Sequence, residues 1–219
     1  MEAFSPTLGD LPREIPVFPL TGALLLPHGR LPLNVFEPRY KAMVEDALAS
    51  GRMFGMIQPD PTLPATPNGP ALYRIGCLGR LSSFSETEDN RMLISVTGLI
   101  RFEMTAEIEG RRGYRRVASD FTRFVDDLRE GSATAARRNA IVAALRAYFA
   151  ARGFDANWEA IDQMEDGELV VTLCMVCPFE PSEKQALLEA SDPASRAATL
   201  LALLQMGAHD LLEGDYHVS

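Results

Sequence analysis

The chain has 219 residues, 47% of them hydrophobic, which is typical of a globular protein with one large or two small domains. Its formal net charge of −9 disfavours broad binding to nucleic-acid phosphates, because that binding usually needs a basic surface. Three cysteines, an N-terminus without a signal-peptide pattern and the lack of a membrane-length apolar run predict a cytoplasmic protein without a disulfide scaffold.

An apolar stretch from 15 to 40, IPVFPLTGALLLPHGRLPLNVFEPRY, is broken every few residues by proline. Proline cannot donate a hydrogen bond to a strand ladder and fixes φ, so it lies at strand edges, strand starts and bends. The pattern therefore predicts strands that turn corners, as in a small closed barrel. Pro38 then begins a helix that Gly51 ends. The predicted strands are 15–20, 23–26 and 31–36.

Short apolar runs separated by turn residues continue to about 124 and favour an all-β barrel. In one of them Met92, Ile94 and Val96 share a face, and Gly98 predicts a break. The segment 59–71 carries five prolines. We interpret it as an extended connector, and the alternative is a loop that docks in an aromatic-lined groove of a partner. The predicted strands are 52–58, 72–86, 91–97, 99–108 and 114–124.

After about 126 the apolar residues follow helical spacing, so the predicted fold class is α+β. We place a β-barrel subdomain at 1–126 and a helical-bundle subdomain at 127–219. Ser182 and Gln185 have the spacing of a capping box, and Asp192 precedes a proline at the first position of a helix. The predicted helices are 132–152, 157–164, 186–190 and 193–213, with a short apolar segment at 168–176.

Several motifs carry a resemblance: IPVFPL and LLLPHGRLPLNVFEPRY near the start, GLIRF at 98–102, and CPFEPSEKQALLEASDPASRAATLLALLQ at 177–205. Together they resemble the Lon N-terminal domain family, in its stand-alone bacterial form. The resemblance implies a six-stranded pseudo-barrel related to PUA domains, followed by a helical bundle. It also implies recognition of unfolded or degradation-prone polypeptide, or of a protein partner. We expect a shallow apolar surface between barrel and bundle to serve that role.

No catalytic residue is predicted. The chain has no G-x-x-x-x-G-K-[ST] motif to hold nucleotide phosphates. Its only lysines are Lys41, at a helix start, and Lys184, within the capping box, so a serine–lysine pair is disfavoured. We therefore predict a non-enzymatic protein that uses no cofactor and no metal and does not bind membranes; its oligomeric state is left open.

The candidate binding residues lie at the strand–helix corner and in the strand that returns from it. Apolar surface suits polypeptides of varied sequence, and methionine adapts its shape to different partners. The alternative is that these residues are core or structural. In that case Glu37 caps the helix, Arg39 pairs with a carboxylate and Tyr40 packs, and Phe36 and Met56 are core residues. The candidates are Phe36, Glu37, Arg39, Tyr40, Met53 and Phe54, with Met56 as a further residue to test.

Cys174 and Cys177 form a C-x-x-C pair that could act in redox chemistry or as half of a zinc site. Few other zinc-ligating residues are available, and the pair ends an apolar segment. We interpret both cysteines as buried structural residues.

Four arginines cluster around Tyr114, and they are the basis of the alternative function, a nucleic-acid-binding PUA-like module. Strand alternation splits the cluster between two faces, and Glu107 and Glu109 offset its charge. We therefore interpret the segment as a solvated hairpin. The arginines are Arg111, Arg112, Arg115 and Arg116.

Overall fold

The computed structural model describes residues 6–129 and 137–214, and its fold is mixed α+β. It divides into two compact units, Met1–Glu130 and Gly131–Ser219. The strands are β1 (Glu14–Pro19), β2 (Arg30–Val35), β3 (Met53–Ile57), β4 (Ile75–Glu86), β5 (Met92–Arg111) and β6 (Tyr114–Asp120). The α-helices are α1 (Pro38–Ala49), α2 (Arg138–Arg152), α3 (Trp158–Gln163), α4 (Asp166–Val176), α5 (Pro181–Glu189) and α6 (Pro193–Gly214), with short 3-10 helices at Leu8–Asp10 and Thr122–Leu128.

The first unit is built on one six-stranded sheet in the order β2-β5-β4-β3-β1-β6. The long strand β5 pairs with β2 through its first part and with β6 through its last part. The pairings therefore return to β5 through β4, β3, β1 and β6. The inward side chains are apolar and fully buried, and they include Ile15, Phe54, Leu78, Ile100 and Phe102.

The predicted strand at 23–26 is wrong, because this segment joins no strand ladder. Its leucines are nevertheless core residues: Leu24, Leu25 and Leu26 are all buried. Leu26 O accepts a hydrogen bond from Gly29 N in the turn that follows, and His28 N of that turn donates to Gly98 O of β5, each at 2.9 Å. An apolar run therefore predicted burial correctly and hydrogen bonding incorrectly.

Two other strand predictions fail at their ends. Gly98 does not break the sheet, because β5 continues through it. The last strand ends at Asp120 rather than 124, because the Asp120 carboxylate accepts hydrogen bonds from Thr122 N (2.9 Å) and Thr122 Oγ1 (2.6 Å). That local turn competes with the strand ladder and leads into the 3-10 helix Thr122–Leu128.

The second unit contains the five helices α2 to α6 within the described residues, and α2, α4 and α5 each pack against α6. The cap of α6 is confirmed, since Asp192 Oδ1 accepts from Ser195 N at 2.8 Å. The capping box of α5 lies two residues earlier than predicted: Glu180 is the N-cap and Glu183 accepts from Glu180 N at 2.8 Å, because Pro181 occupies the first helical position. The predicted helix start at 132 lies outside the described residues.

None of the helices in the described ranges is long and apolar enough to cross a membrane.

Two buried tyrosines allow a matched test of hydrogen bonding. Tyr148 is buried and its hydroxyl finds no hydrogen-bond partner among residues 6–129 and 137–214, whereas Tyr114 donates to Asp46 Oδ2 at 2.7 Å. A buried polar group without a partner is destabilising, and a hydrogen bond to a charged group stabilises by about 1.5–3 kcal/mol. We therefore expect Tyr148→Phe to leave the free energy of unfolding unchanged or raise it by about 1 kcal/mol, and Tyr114→Phe to lower it by about 2 kcal/mol.

Urea unfolding of both variants and the wild type tests this expectation. A loss of stability in Tyr148→Phe as large as that in Tyr114→Phe would contradict it.

Candidate functional site

The predicted strand–helix corner is present between β2 and α1. Val35 is the last residue of β2, Glu37 occupies the N-cap position, and Pro38 is the first helical residue. Proline cannot continue the ladder, and its fixed φ suits a helix start, so the chain turns here. Phe36 falls on the turn itself, between the strand and the helix, and remains 62% exposed.

An open pocket of about 480 Å³ lies at this corner, which we call the corner pocket. Three segments of the first unit form it: the start of α1, the turn between β4 and β5, and the turn between β5 and β6. Phe36 contributes a large apolar side chain to the lining of this pocket. The lining residues are Phe36, Pro38, Lys41, Ala42, Glu45, Asp89, Asn90, Arg91 and Arg112.

Lys41 fixes the β4–β5 turn against α1. Its Nζ donates to Asn90 O at 2.8 Å and to Asn90 Oδ1 at 2.6 Å. Asn90 has φ +61°, a left-handed conformation that asparagine tolerates better than most residues. Arg91 pairs with Asp89 at 2.7 Å, and its guanidinium carbon lies 5.8 Å from the centroid of the Phe36 ring. The turn therefore places a cation beside the exposed aromatic ring.

A second polar network joins α1 to the turn between β5 and β6 beside the corner pocket. Arg112 pairs with Glu45 at 2.7 Å and with Asp46 at 2.8 Å, and Tyr114 also donates to Asp46. The hydrogen bond from Tyr114, followed by the one from Arg112, holds the pKa of Asp46 below its usual range. Burial and the Asp46 carboxylate raise the pKa of Tyr114 to about 12. Asp46 is therefore ionised at neutral pH while Tyr114 keeps its proton. The Tyr114–Asp46 hydrogen bond and the Arg112–Asp46 ion pair are thus both maintained at neutral pH.

Three of the predicted binding residues make the structural contacts of the alternative interpretation, with one difference. Glu37 and Arg39 pair with each other at 2.7 Å, so the Glu37 side chain does not cap the helix. Tyr40 is buried, and its ring centroid lies 4.0 Å from that of Phe18. The Arg39 guanidinium carbon lies 4.6 Å from the Tyr40 ring centroid. Burial raises the pKa of Tyr40. Tyr40 therefore has almost no surface to offer a ligand, whereas Glu37 and Arg39 remain accessible.

The returning strand β3 contributes little accessible surface. Phe54 and Met56 are buried in the sheet core, and Met53 is only partly exposed. Phe54 and Met56 therefore offer almost no surface to a ligand, whereas Phe36 is exposed.

An exposed leucine missed by the sequence interpretation lies near Phe36. Leu93 on β5 is directly opposite Asn34 on β2 and is 46% exposed. Leu93 and Asn34 are exposed on the outer face of their strands. The last pair of this ladder is Val35 with Met92, so Phe36 and Arg91 lie just past the ends of the two strands, where the Arg91 guanidinium contacts the Phe36 ring. The alternation that placed Met92 and Ile94 inward was the available signal. The exposed surface formed by Phe36 and Leu93 is called the corner patch below.

The three cysteines are free thiols, and all are buried. Burial raises the pKa of both Cys174 and Cys177 to about 12, so both thiols keep their protons at neutral pH and are poor nucleophiles. No group of three or more His, Cys, Asp or Glu side chains suited to a metal ion occurs in the part of the chain that the structure describes.

Each of the four clustered arginines pairs with a carboxylate. Arg115 forms a bidentate ion pair with Glu107, in which Nε donates to Oε1 and Nη2 to Oε2, each at 2.7 Å. Glu107 thus offsets the charge of this arginine, as predicted. Arg116 pairs with Glu14 at 2.7 Å and donates to the Glu109 backbone oxygen rather than to its carboxylate. Arg111 and Arg112 both reach Asp46. The cluster therefore presents no continuous unpaired basic face.

Comparison with known proteins supports the resemblance. A family model described as the ATP-dependent protease La (LON) substrate-binding domain matches residues 14–206. A segment of 101 residues is 32% identical to the Lon protease of Dictyoglomus thermophilum, and it spans 46% of this chain and 12% of that protein. Lon protease 2 of Myxococcus xanthus is 25% identical over 100 residues, with the same two shares. The chain therefore matches only a small part of these relatives' length.

Two solved structures share the fold. The crystal structure of a Lon N-terminal domain protein from Xanthomonas campestris superposes with a TM-score of 0.61 at 21% identity, covering 86% of this chain and 97% of that one. The N-terminal domain of Mycobacterium avium complex Lon protease gives 0.60 at 18% identity, covering 90% and 98%. The α+β architecture with its six-stranded sheet is thus that of Lon N-terminal domains.

Proposed function

Because the chain belongs to the family of ATP-dependent protease La (LON) substrate-binding domains, we propose that it binds unfolded or degradation-prone polypeptide at the corner patch and corner pocket. The observation that carries this proposal is the exposure of Phe36, a large aromatic side chain beside an open pocket. We further propose that the strand pairings of the first unit form the family's PUA-like barrel.

The corner offers contacts to features that polypeptides of varied sequence have in common. Phe36 and Leu93 offer apolar surface, which favours any peptide that carries an apolar side chain. Asp89, Arg91 and Lys41 surround it with polar groups of both signs, so neither acidic nor basic peptides are strongly repelled. This mixture suits low-affinity binding with little sequence preference.

The edge of β2 offers backbone groups as well. This strand lies at one end of the strand order, and the described pairings join it only to β5. An extended peptide can add to such an edge through main-chain hydrogen bonds, which every polypeptide supplies. Pro32 lacks an N–H, which limits how many bonds the edge can make and thereby favours weak, reversible binding.

The matched domain is non-catalytic, and we propose that this chain has neither ATPase nor peptidase activity of its own. Its sequence contains no phosphate-binding G-x-x-x-x-G-K-[ST] motif. Its role is then to hold a polypeptide, alone or beside a partner that processes it. The cytoplasmic location stays a prediction.

The function is tested by replacing Phe36 with alanine. The probe is a fluorescently labelled, reduced and alkylated α-lactalbumin, and binding is followed by fluorescence anisotropy. We expect Phe36→Ala to weaken binding about tenfold, equivalent to roughly 1.4 kcal/mol, because a central aromatic contact is lost. The melting temperature should hold, since the side chain packs little in the folded protein.

Leu63→Ala is the matched control, because Leu63 is 54% exposed in the proline-rich loop and does not line the corner pocket. It should bind like the wild type. Equal binding by all three proteins would contradict the assignment to the corner, and stronger binding of a duplex oligonucleotide than of the polypeptide would favour the nucleic-acid alternative.

A further inference from the structure

The second unit carries a partly exposed aromatic cluster of its own, formed by residues that are not part of the corner patch. Phe149 lies in α2, Phe154 follows that helix and Trp158 begins α3. The Phe149 ring centroid is 5.7 Å from that of Phe154, with the rings perpendicular, and 5.9 Å from that of Trp158. Phe154 is 45% exposed and Trp158 is partly exposed. These three residues are called the aromatic patch.

The local backbone explains how the patch is built. Gly153 has φ +66° and ends α2, and Phe154 N donates to Phe149 O at 2.9 Å, which folds the chain back over the last turn. Asn157 then caps α3 by accepting from Ala160 N at 3.1 Å, and this brings Trp158 beside Phe149. The patch is therefore held by two helix ends and needs no reorganisation to present its rings.

The Trp158 ring already binds a cation within the protein. The Arg146 guanidinium carbon lies 4.1 Å from its centroid, within the range of a cation–π contact. Aromatic rings that are partly exposed in this way favour cationic side chains over anionic ones, because the faces of the rings carry partial negative charge.

The segment around the patch is strongly acidic. Residues 153–168 contain six acidic residues and no basic one. Asp155 is adjacent to Phe154, and Glu159 is adjacent to Trp158. Asp166 pairs with Arg138 at 2.9 Å, but the other five carboxylates form no ion pair with any described residue. Those five, all exposed, are Asp155, Glu159, Asp162, Glu165 and Glu168.

We propose that the aromatic patch docks a basic polypeptide segment, one that carries lysine or arginine next to an apolar side chain. The apolar side chain would cover Phe154, and the cations would meet the unpaired carboxylates of Asp155 and Glu159. Charge complementarity selects this partner, because the same carboxylates repel nucleic acids, anionic membranes and acidic peptides. The inference goes beyond the proposed function, since it names a second surface with its own class of partner.

Trp158 makes the test direct, because it is the only tryptophan in the chain. The probes are two twelve-residue peptides without tryptophan, one of lysine, leucine and serine and one with every lysine replaced by glutamate. We expect the basic peptide to change the Trp158 emission saturably at low salt and to lose most of this effect in 1 M salt, where the screening length is about 3 Å. The acidic peptide should have no effect.

The variant Asp155→Asn with Glu159→Gln should weaken the basic peptide's binding about tenfold, and Phe154→Ala should weaken it similarly with an unchanged circular dichroism spectrum. The matched control is Glu86→Gln with Glu88→Gln, two exposed carboxylates of the first unit, which should bind like the wild type. Phe36→Ala should leave the Trp158 response intact, which separates this surface from the corner patch. The proposal is overturned by an equal response to both peptides, by no response to the basic one, or by an unaffected Asp155/Glu159 variant.

Discussion

Replacing Asp127 with alanine is expected to lower the free energy of unfolding by about 3–5 kcal/mol, the usual cost of leaving a buried charge without its partner. The Asp127 carboxylate accepts hydrogen bonds from Arg101 Nε (2.8 Å), Arg101 Nη2 (2.8 Å) and the Arg101 backbone N (3.0 Å). The Arg101 side chain is only 4% exposed, so water cannot replace the lost carboxylate.

The same ion pair anchors the end of the first unit. Asp127 lies in the 3-10 helix that follows β6, Arg101 lies in β5, and the guanidinium also packs 4.6 Å from the Phe124 ring centroid. Its loss should therefore release the 3-10 helix from the sheet. Urea unfolding measures the stability, and hydrogen exchange at residues 122–128 should report the local release.

Glu103→Ala is the matched control for this prediction. Glu103 is on the same strand and pairs with Arg74 at 3.0 Å, but the Arg74 side chain is 69% exposed. An exposed ion pair contributes about 0–1 kcal/mol, so this variant should lose no more than that. Similar losses in the two variants would show that burial of the Arg101–Asp127 pair does not govern its contribution.

Replacing Gly98 with alanine is expected to cost at least about 3 kcal/mol, the upper end of the range for overpacking a core. A Cβ at this position would lie 2.0 Å from Leu26 O and 2.8 Å from Leu26 C. These atoms belong to the backbone, so no side-chain rotation relieves the clash. Hydrogen bonds from His28 N to Gly98 O and from Gly98 N to Gly29 O, each 2.9 Å, hold the two segments together.

The control for this glycine is Gly9→Ala. The nearest atom to a Cβ at Gly9 is Thr7 Oγ1 at 3.8 Å, an ordinary contact, and its φ is not in the left-handed region. We expect Gly9→Ala to change the free energy of unfolding by less than about 1 kcal/mol in either direction. If Gly98→Ala unfolds in urea at the same midpoint as the wild type, the close approach of β5 to the 26–29 turn is not as described.

Local signals in the sequence predicted two helix starts correctly, but they placed the cap of α5 two residues late and did not identify Asp166–Val176 as a helix. Pro38 and the Asp192-Pro193 pair mark helix starts through their own backbone chemistry, and both starts are observed. The segment 23–26 has the composition of a strand, but whether it joins a ladder depends on β5, which lies about 70 residues later. Gly98 looked like a break because a glycine in a strand signals either an interruption or a close approach, and only the fold decides between them.

The candidate site shows the same limit. The sequence motif located the corner and placed Phe36 in it, but it could not separate the exposed Phe36 from the buried Phe54 and Tyr40. The corner pocket was not predictable, because the contact of Lys41 with Asn90 joins residues 49 positions apart. The family resemblance, by contrast, rested on motifs spread along the chain, and the family match over residues 14–206 confirms it.

The central claim is that this chain recognises unfolded polypeptide, and isothermal titration of the intact protein with α-lactalbumin in two forms tests it most directly. We predict saturable binding of the reduced, alkylated protein with a Kd of tens of micromolar, equivalent to roughly −6 kcal/mol, and no binding of the native, folded form. The absence of saturable binding to the unfolded form, or equal binding of both forms, would contradict the claim.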